Sequence, residues 1–325
     1  MTLNVGIAGA GRMGSLHAAN LKTIPGVRVV AVADVDGEKA RALAAKHDAR
    51  VHLNARTMIE TEKLDALYVA LPPYAHGDLE KRAAASKVHL YVEPPVHLTL
   101  EKALAACGAI EAAGIVTATG YDARYRAATD VAKKLLEKRR VALVVGTCML
   151  PPCGAEWWGE RAKSGGDLFV RAGHLVDLAR YLVGEPVRVA AAAAEPFAAD
   201  GVDNIDLAGA EAVLMDFRRK AAGVFTSSHL VGGRARTADS VELRIVTDAG
   251  VIVLEGDSIT TIEGDATNRR DLASDATLAS DKAFIAAAKK GDQNLVRASY
   301  TEGVRTLEVL TAARESIETR KTVEL

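Results

Sequence analysis

From residue 4 to residue 119 the chain alternates short apolar runs with amphipathic helical stretches, and few folds tolerate that rhythm. The strand-like runs fall at residues 4–8, 27–33, 66–71, 88–92 and 115–119, with a weaker one at 50–53. Neighbouring parallel strands need a crossover between them, usually a helix, so this order predicts an α/β domain built on a doubly wound parallel sheet. The run Ala66-Leu-Tyr-Val-Ala-Leu71 is apolar on both faces, as a central parallel strand must be. Leu100, Ala103, Leu104, Cys107 and Ile110 recur at helical spacing behind Thr99 as N-cap, and Gly114 closes that helix. The alternation is complete near residue 120, which sets a first domain at 1–120.

Residues 121–325 change character. A helix at 128–138 leads to a strand at 141–148, a loop at 150–166 rich in Pro, Gly and Trp, and a helix at 173–183. Five strand-like runs follow at 187–194, 210–217, 222–229, 241–247 and 250–254, and links as short as Asp248-Ala-Gly250 join neighbours as hairpins. Helices at 280–290 and 299–318 end the chain. This predicts a second α/β domain with a mainly antiparallel open sheet. Its apolar strands outnumber the helices available to cover them, so one face is expected to be buried in a homodimer or homotetramer.

Directly after the first strand stands Gly9-Ala-Gly11-Arg12-Met13-Gly14. In a strand–turn–helix context these glycines serve a tight turn, a close backbone approach to a pyrophosphate, and close packing of helix on strand. Asp34 ends the second strand 20 residues after Gly14, where a carboxylate meets the adenosine ribose hydroxyls. That carboxylate repels a 2′-phosphate, and the next residue, Val35, offers none a countercharge, so the reading is NAD with NADP less favoured. Ligands of such sheets lie beyond the carboxyl ends of the strands, which brings Leu71, Pro72, Pro73, His76, Glu93 and Pro94 to the cofactor. His76 fits an ordinary helix start equally well.

Basic and acidic side chains nearly balance, 41 against 42, which argues against nucleic acid or an anionic membrane as partner. No apolar run reaches the roughly 20 residues of a membrane span, and no secretory leader precedes the first strand. Three cysteines without metal-ligand spacing read as free thiols of a cytoplasmic protein, with no metal site expected.

Taken together, Val5-Gly-Ile-Ala-Gly-Ala-Gly-Arg-Met-Gly14, Ala31-Val-Ala-Asp34, Leu71-Pro-Pro-Tyr-Ala-His76, Gly120-Tyr-Asp-Ala-Arg-Tyr125, Ser164-Gly-Gly166 and His174-Leu-Val-Asp177 resemble the glucose–fructose oxidoreductase / inositol dehydrogenase (Gfo/Idh/MocA) family over essentially the whole chain. The resemblance implies NAD(P)-dependent oxidoreduction of a sugar, cyclitol or related polyol. It also implies a catalytic Lys in a Glu-Lys-Pro motif and an Asp four residues before a His. Here the first motif reads Glu93-Pro94-Pro95, and Val170 stands four residues before His174. His174 is then the one group left to act as acid–base, with Tyr121, Arg124, Tyr125, His97, Trp158 and Arg171 as substrate candidates. Two alternatives stay open: an NAD-using lyase, epimerase or hydrolase without net redox, and a non-catalytic NAD-binding sensor or assembly protein.

Overall fold

The computed structural model describes residues 2–196, 205–218, 220–230 and 240–325. The chain folds into two units: Met1–Asp122 with Asp275–Val304, and Ala123–Ser274 with Arg305–Leu325. A single cut at residue 120 therefore misses one feature, since the segment from Asp275 to Val304 belongs with the first unit.

The first unit runs β1 (Leu3–Ala8), α1 (Arg12–Thr23), β2 (Val27–Ala33), α2 (Gly37–Ala45), β3 (Arg50–His52), α3 (Ala55–Thr61), β4 (Ala66–Val69), α4 (Leu79–Ala85), β5 (His89–Val92), α5 (Leu100–Ala113) and β6 (Thr117–Thr119). The strands are all parallel in the order β3-β2-β1-β4-β5-β6, the doubly wound arrangement whose order reverses between β1 and β4. Every residue of β4 is buried, as its two-sided apolarity requires. Asp36 and Asn54 cap α2 and α3 through their side chains, whereas Thr99 occupies the N-cap of α5 without a side-chain bond. Gly114 ends α5 in the left-handed conformation at φ +65°.

In the second unit, α6 (Ala127–Leu136) precedes β7 (Val141–Met149), the short α7 (Arg161–Ser164), one π-helical turn at Leu168–Ala172, and α8 (Gly173–Val183). Then come β8 (Pro186–Ala193), β9 (Ala210–Phe217), β10 (Ala222–Ser228), β11 (Ser240–Thr247), β12 (Gly250–Glu255), β13 (Ser258–Glu263) and β14 (Ala266–Asp271). Helices α9 (Ala276–Lys290) and α10 (Tyr300–Thr319) and a short β15 (Val323–Glu324) complete the chain. The sheet order is β14-β13-β12-β11-β7-β10-β9-β8-β15, antiparallel except where β7 pairs with β10. Strands β8 to β12 follow the expected runs closely, and β13, β14 and β15 extend the sheet further than the apolar pattern indicates.

Helix α9 has a plain reason to sit in the first unit. Phe284 and Ile285 are buried in the same core as Ile7, Val32, Tyr68 and Tyr91. The Tyr68 and Tyr91 rings stack at 4.7 Å, and Phe284 meets both edge-on at 5.5 and 5.6 Å. Asp275 caps this helix through Leu278 N.

Candidate functional site: a dinucleotide cradle and a charged cluster

The three glycines of the loop differ in what the fold asks of them. A Cβ on Gly9, at φ +99°, would stand 2.3 Å from the Ala70 carbonyl oxygen, and one on Gly14 would stand 1.8 Å from that of Gly9. Packing alone fixes both. Gly11 is different: its φ is an ordinary −74°, and a Cβ there would meet nothing within 4 Å. No neighbouring side chain or backbone requires glycine at 11, so the open space beside it suits a ligand. Gly11 is also the N-cap of α1 and offers no side-chain bond to the first-turn N–H groups. Those unpaired donors and the helix dipole favour an anion such as a pyrophosphate. Arg12 is exposed and Met13 half-buried on this first turn. The donors and the cradle fit a bound dinucleotide.

Asp34 ties the loop to the second strand. Its Oδ2 accepts a bond from Ala10 N at 2.7 Å, and its Oδ1 accepts one from Asp36 N at 2.9 Å. Val35 beside it is 92% exposed, so a larger side chain fits there without repacking. Replacing Asp34 by Ser together with Val35→Arg is expected to shift the NADPH-to-NADH affinity ratio toward NADPH by about tenfold, near 1.4 kcal/mol. Fluorescence titration checks this, and unaltered protein that already prefers NADPH would refute the role given to the carboxylate.

At the carboxyl ends of β4 and β5 the side chains hold one another. His76 is wholly buried: Nδ1 lies 2.8 Å from Glu80 Oε1 and 3.2 Å from the Val96 carbonyl oxygen, and Nε2 lies 3.1 Å from that of Leu71. Burial by itself would lower its pKa, but Glu80 and the two carbonyls outweigh burial and hold the ring above its ordinary value. The His76 ring therefore anchors the Leu71–Pro72 segment, with Pro73 buried behind it. His97, buried nearby, accepts a bond from Leu98 N at 3.0 Å, and burial lowers its pKa. Tyr121 is buried. Pro94 is half-buried, and its peptide with Pro95 is cis.

Glu93 turns inward to a histidine that pattern reading passes over. His17, fully buried on α1, places Nε2 at 3.0 Å from Glu93 Oε1 and Nδ1 at 2.8 Å from Asp281 Oδ1 of α9. Asn20 Nδ2 donates to the other Asp281 oxygen at 2.8 Å. Burial opposes a charge on His17, yet Asp281 and Glu93 outweigh it and push its pKa up to about 10. The signal was available in sequence: His17 occupies the buried stripe of α1 with Gly14, Ala18 and Leu21, where an apolar residue would be routine.

The second unit carries the remaining candidates. Arg124 is buried and bidentate on Asp177, with Nε to Oδ2 at 2.8 Å and Nη2 to Oδ1 at 2.7 Å, and Thr306 Oγ1 donates to the same carboxylate at 2.9 Å. This arrangement neutralises the Arg124 charge within the protein and leaves it a poor clamp for an anionic substrate. Tyr125 is buried beside it in sequence. Arg171 is paired with Asp167, and fully buried Trp158 donates its indole N–H to the same Asp167 at 2.9 Å. His174 sits half-buried in the first turn of α8, following the π turn that carries half-buried Val170. His229, which also faces Asp167, belongs to no motif and carries no signal in the sequence.

Comparison with known proteins agrees with this geometry. The family profile described as an oxidoreductase family with an NAD-binding Rossmann fold, Gfo/Idh/MocA, matches residues 3–121, and that of its C-terminal α/β domain matches residues 145–325. Myo-inositol 2-dehydrogenase of Thermotoga maritima is 25% identical over 339 aligned positions, covering 99% of this chain and 98% of its own. Inositol 2-dehydrogenase of Rhizobium meliloti is 26% identical and covered in full on both sides. The match to the oxidoreductase YrbE of Bacillus subtilis, 27% identical, covers 56% of this chain and spans only about half, 54%, of that relative. Levoglucosan dehydrogenase, solved with NADH and levoglucosan, superposes with a TM-score of 0.89 at 21% identity, covering 100% of this chain and 99% of its own, a likeness of fold.

Proposed function

Since the chain belongs to the Gfo/Idh/MocA oxidoreductase family, with its NAD-binding Rossmann fold, we propose that it catalyses the NAD-dependent oxidation of a small polyol, a sugar or cyclitol. The observation that carries the cofactor is Gly11, the one loop glycine that no packing constraint explains. The substrate class rests on the relatives, which include inositol dehydrogenases. NAD, when bound, supplies the acceptor for the carbinol hydrogen. The first turn of α1 holds the pyrophosphate, Asp34 takes the ribose hydroxyls, and His76 keeps the Leu71–Pro72 segment in place at the carboxyl edge of the sheet.

His174 is the acid–base of this reading, because it is the one side chain in the positions that the family resemblance makes catalytic that can carry a proton to or from a hydroxyl. Pro94 and Val170 bring no titratable group to the positions where family resemblance implies Lys and Asp. The test is absorbance at 340 nm with inositols, aldoses and sugar acids. Formation of NADH supports the reading. No NADH from any of them, with tight NADH binding, moves the chain to the non-catalytic sensor that those two replacements favour.

We also assign the open face of the second sheet to a homo-oligomer. Leu214, 58% exposed, pairs across the strands with half-buried Val224, and Val224 with half-buried Val145, an apolar row of the kind a two-fold interface buries. Light scattering at micromolar concentration is expected to give a dimer or tetramer, and a monomeric mass would refute it. Among the described residues no helix is long and apolar enough to cross a membrane. The free thiols Cys107, Cys148 and Cys153 suit the reducing cytoplasm.

A further inference from the structure

A group of polar side chains in the second unit takes no part in the proton transfer assigned to His174. In the sheet register Ser227 pairs with Cys148 on one side and with Glu211 on the other, so the three share a face. The segment before the π turn docks on them. Leu168 N donates to Glu211 Oε2 at 3.0 Å, and Ser227 Oγ donates to the same oxygen at 3.3 Å. Burial, and next the charge of Asp167, raise the Glu211 pKa.

Asp167 is held from several sides. Its Oδ1 accepts Trp158 Nε1 at 2.9 Å and Arg171 Nε at 2.8 Å, and its Oδ2 accepts Arg171 Nη2. Arg171 Nη1 is occupied by the Pro151 carbonyl at 2.6 Å. His229, directly after β10, is 0% exposed, and its Nδ1 stands 3.4 Å from Asp167 Oδ2. The Trp158 ring meets it edge-on at 5.3 Å. Nε2 of His229 makes no hydrogen bond with a described residue, and Nδ1 has only the long approach to Asp167. Proteins rarely leave a buried imidazole in that condition, because each unmade bond forfeits solvation without return.

The surroundings select what completes it. An anion would face Asp167 and Glu211, and the nearby guanidinium is already committed to Asp167. Among the described residues no three His, Cys, Asp or Glu side chains gather to hold a metal. A neutral hydroxyl suits the place, since it donates to one ring nitrogen or accepts from it and brings no charge to bury. A Cβ on Gly166, the residue before Asp167, would meet Glu211 Oε1 at 3.9 Å and no other atom within 4 Å outside the adjoining residues. We propose that His229, oriented by Asp167, is a hydroxyl-binding position for a polyhydroxylated ligand and helps to set which polyol is accepted. This deepens the polyol reading and rests on it.

The test uses the full chain with NADH present and ¹⁵N-labelled histidine, the His229 ring signals being identified by their loss in His229→Asn. Titration with myo-inositol, glucose and glycerol is expected to move those signals saturably for at least one polyol. For that polyol His229→Asn raises Kd tenfold or more and leaves NADH affinity within twofold, whereas His229→Gln, whose carboxamide reaches one methylene further toward the position of the imidazole Nε2, keeps part of the affinity. Signals that stay still in all three titrations, or an unchanged polyol Kd in His229→Asn, overturn the proposal. The shift is read whether or not NADH forms. Turnover with a silent His229 removes this site alone, whereas a shifting His229 without turnover removes the redox reading and keeps the site.

Discussion

Replacing His17 with Leu is expected to lower the stability of the first unit by about 3–5 kcal/mol, the loss that follows when one partner of a buried ion pair is taken away. The imidazolium lies 2.8 Å from Asp281 and 3.0 Å from Glu93, and the substitution leaves Asp281 buried with Asn20 but no countercharge. Changing Asp281 to Leu in the same chain should recover much of the loss, since a buried pair replaced whole by apolar groups is often near neutral. Urea unfolding at pH 7 measures both. A single variant within about 1 kcal/mol of the parent would mean that the pair adds little beyond what a well-packed side chain supplies.

The same residue sets a pH dependence. A folded-state pKa of about 10 against an ordinary 6.5 means that the native state keeps a proton the unfolded chain gives up. This stabilisation is complete below pH 6.5 and drains away as pH rises toward 10, at about 1.4 kcal/mol per unit, or roughly 5 kcal/mol in all. Buried Tyr68 and Tyr91, whose rings lie 5.1 and 4.8 Å from that of His17, are held well above their usual range, chiefly by burial, and stay neutral across the same window. Melting temperatures of the parent should therefore fall between pH 7 and 9.5 more steeply than those of His17→Leu. Parallel curves would remove His17 as the cause.

The same network shows where sequence reading succeeds and where it stops. Gly9, Gly11, Gly14 and Asp34 can be singled out from sequence because the loop we assign to the dinucleotide is local, with every residue within one strand–helix–strand unit. The link from His17 to Asp281 spans 264 residues, and no periodicity carries such a pairing. Strand β14 escaped for a different reason: Ala266-Thr-Asn-Arg-Arg-Asp271 is exposed throughout, so its pairing with β13 left no apolar alternation to read. Helix α9 was visible as a helix, but its attachment to the first unit depends on Phe284 meeting Tyr68 and Tyr91, contacts that only the folded chain reveals. Asp167 and His229 cannot be paired from sequence, because they are distant along the chain and meet only when β10 ends beside the π turn.

Removing the imidazole at 174 should cost catalysis and leave cofactor binding alone. If His174 accepts the hydroxyl proton, His174→Ala lowers kcat by roughly 10²-fold or more, the range a positioned acid–base group supplies, with NADH Kd unchanged because proton transfer acts on the transition state. His174 lies in the second unit, on a helix of its own, while the glycine loop and Asp34 lie in the first, so the two readouts report on separate parts of the chain. The complementary change is Pro94→Lys with Val170→Asp. Each position is half-buried, so a charge placed there is expected to cost stability, and restoring both groups that the family resemblance implies should raise a weak activity. Absorbance at 340 nm for rate and fluorescence quenching for NADH affinity decide the matter. Undiminished turnover in His174→Ala would take the acid–base role away from this residue, and a parent that is inert until Pro94 and Val170 are both replaced would show that the chain has kept the fold and the cradle but given up the chemistry.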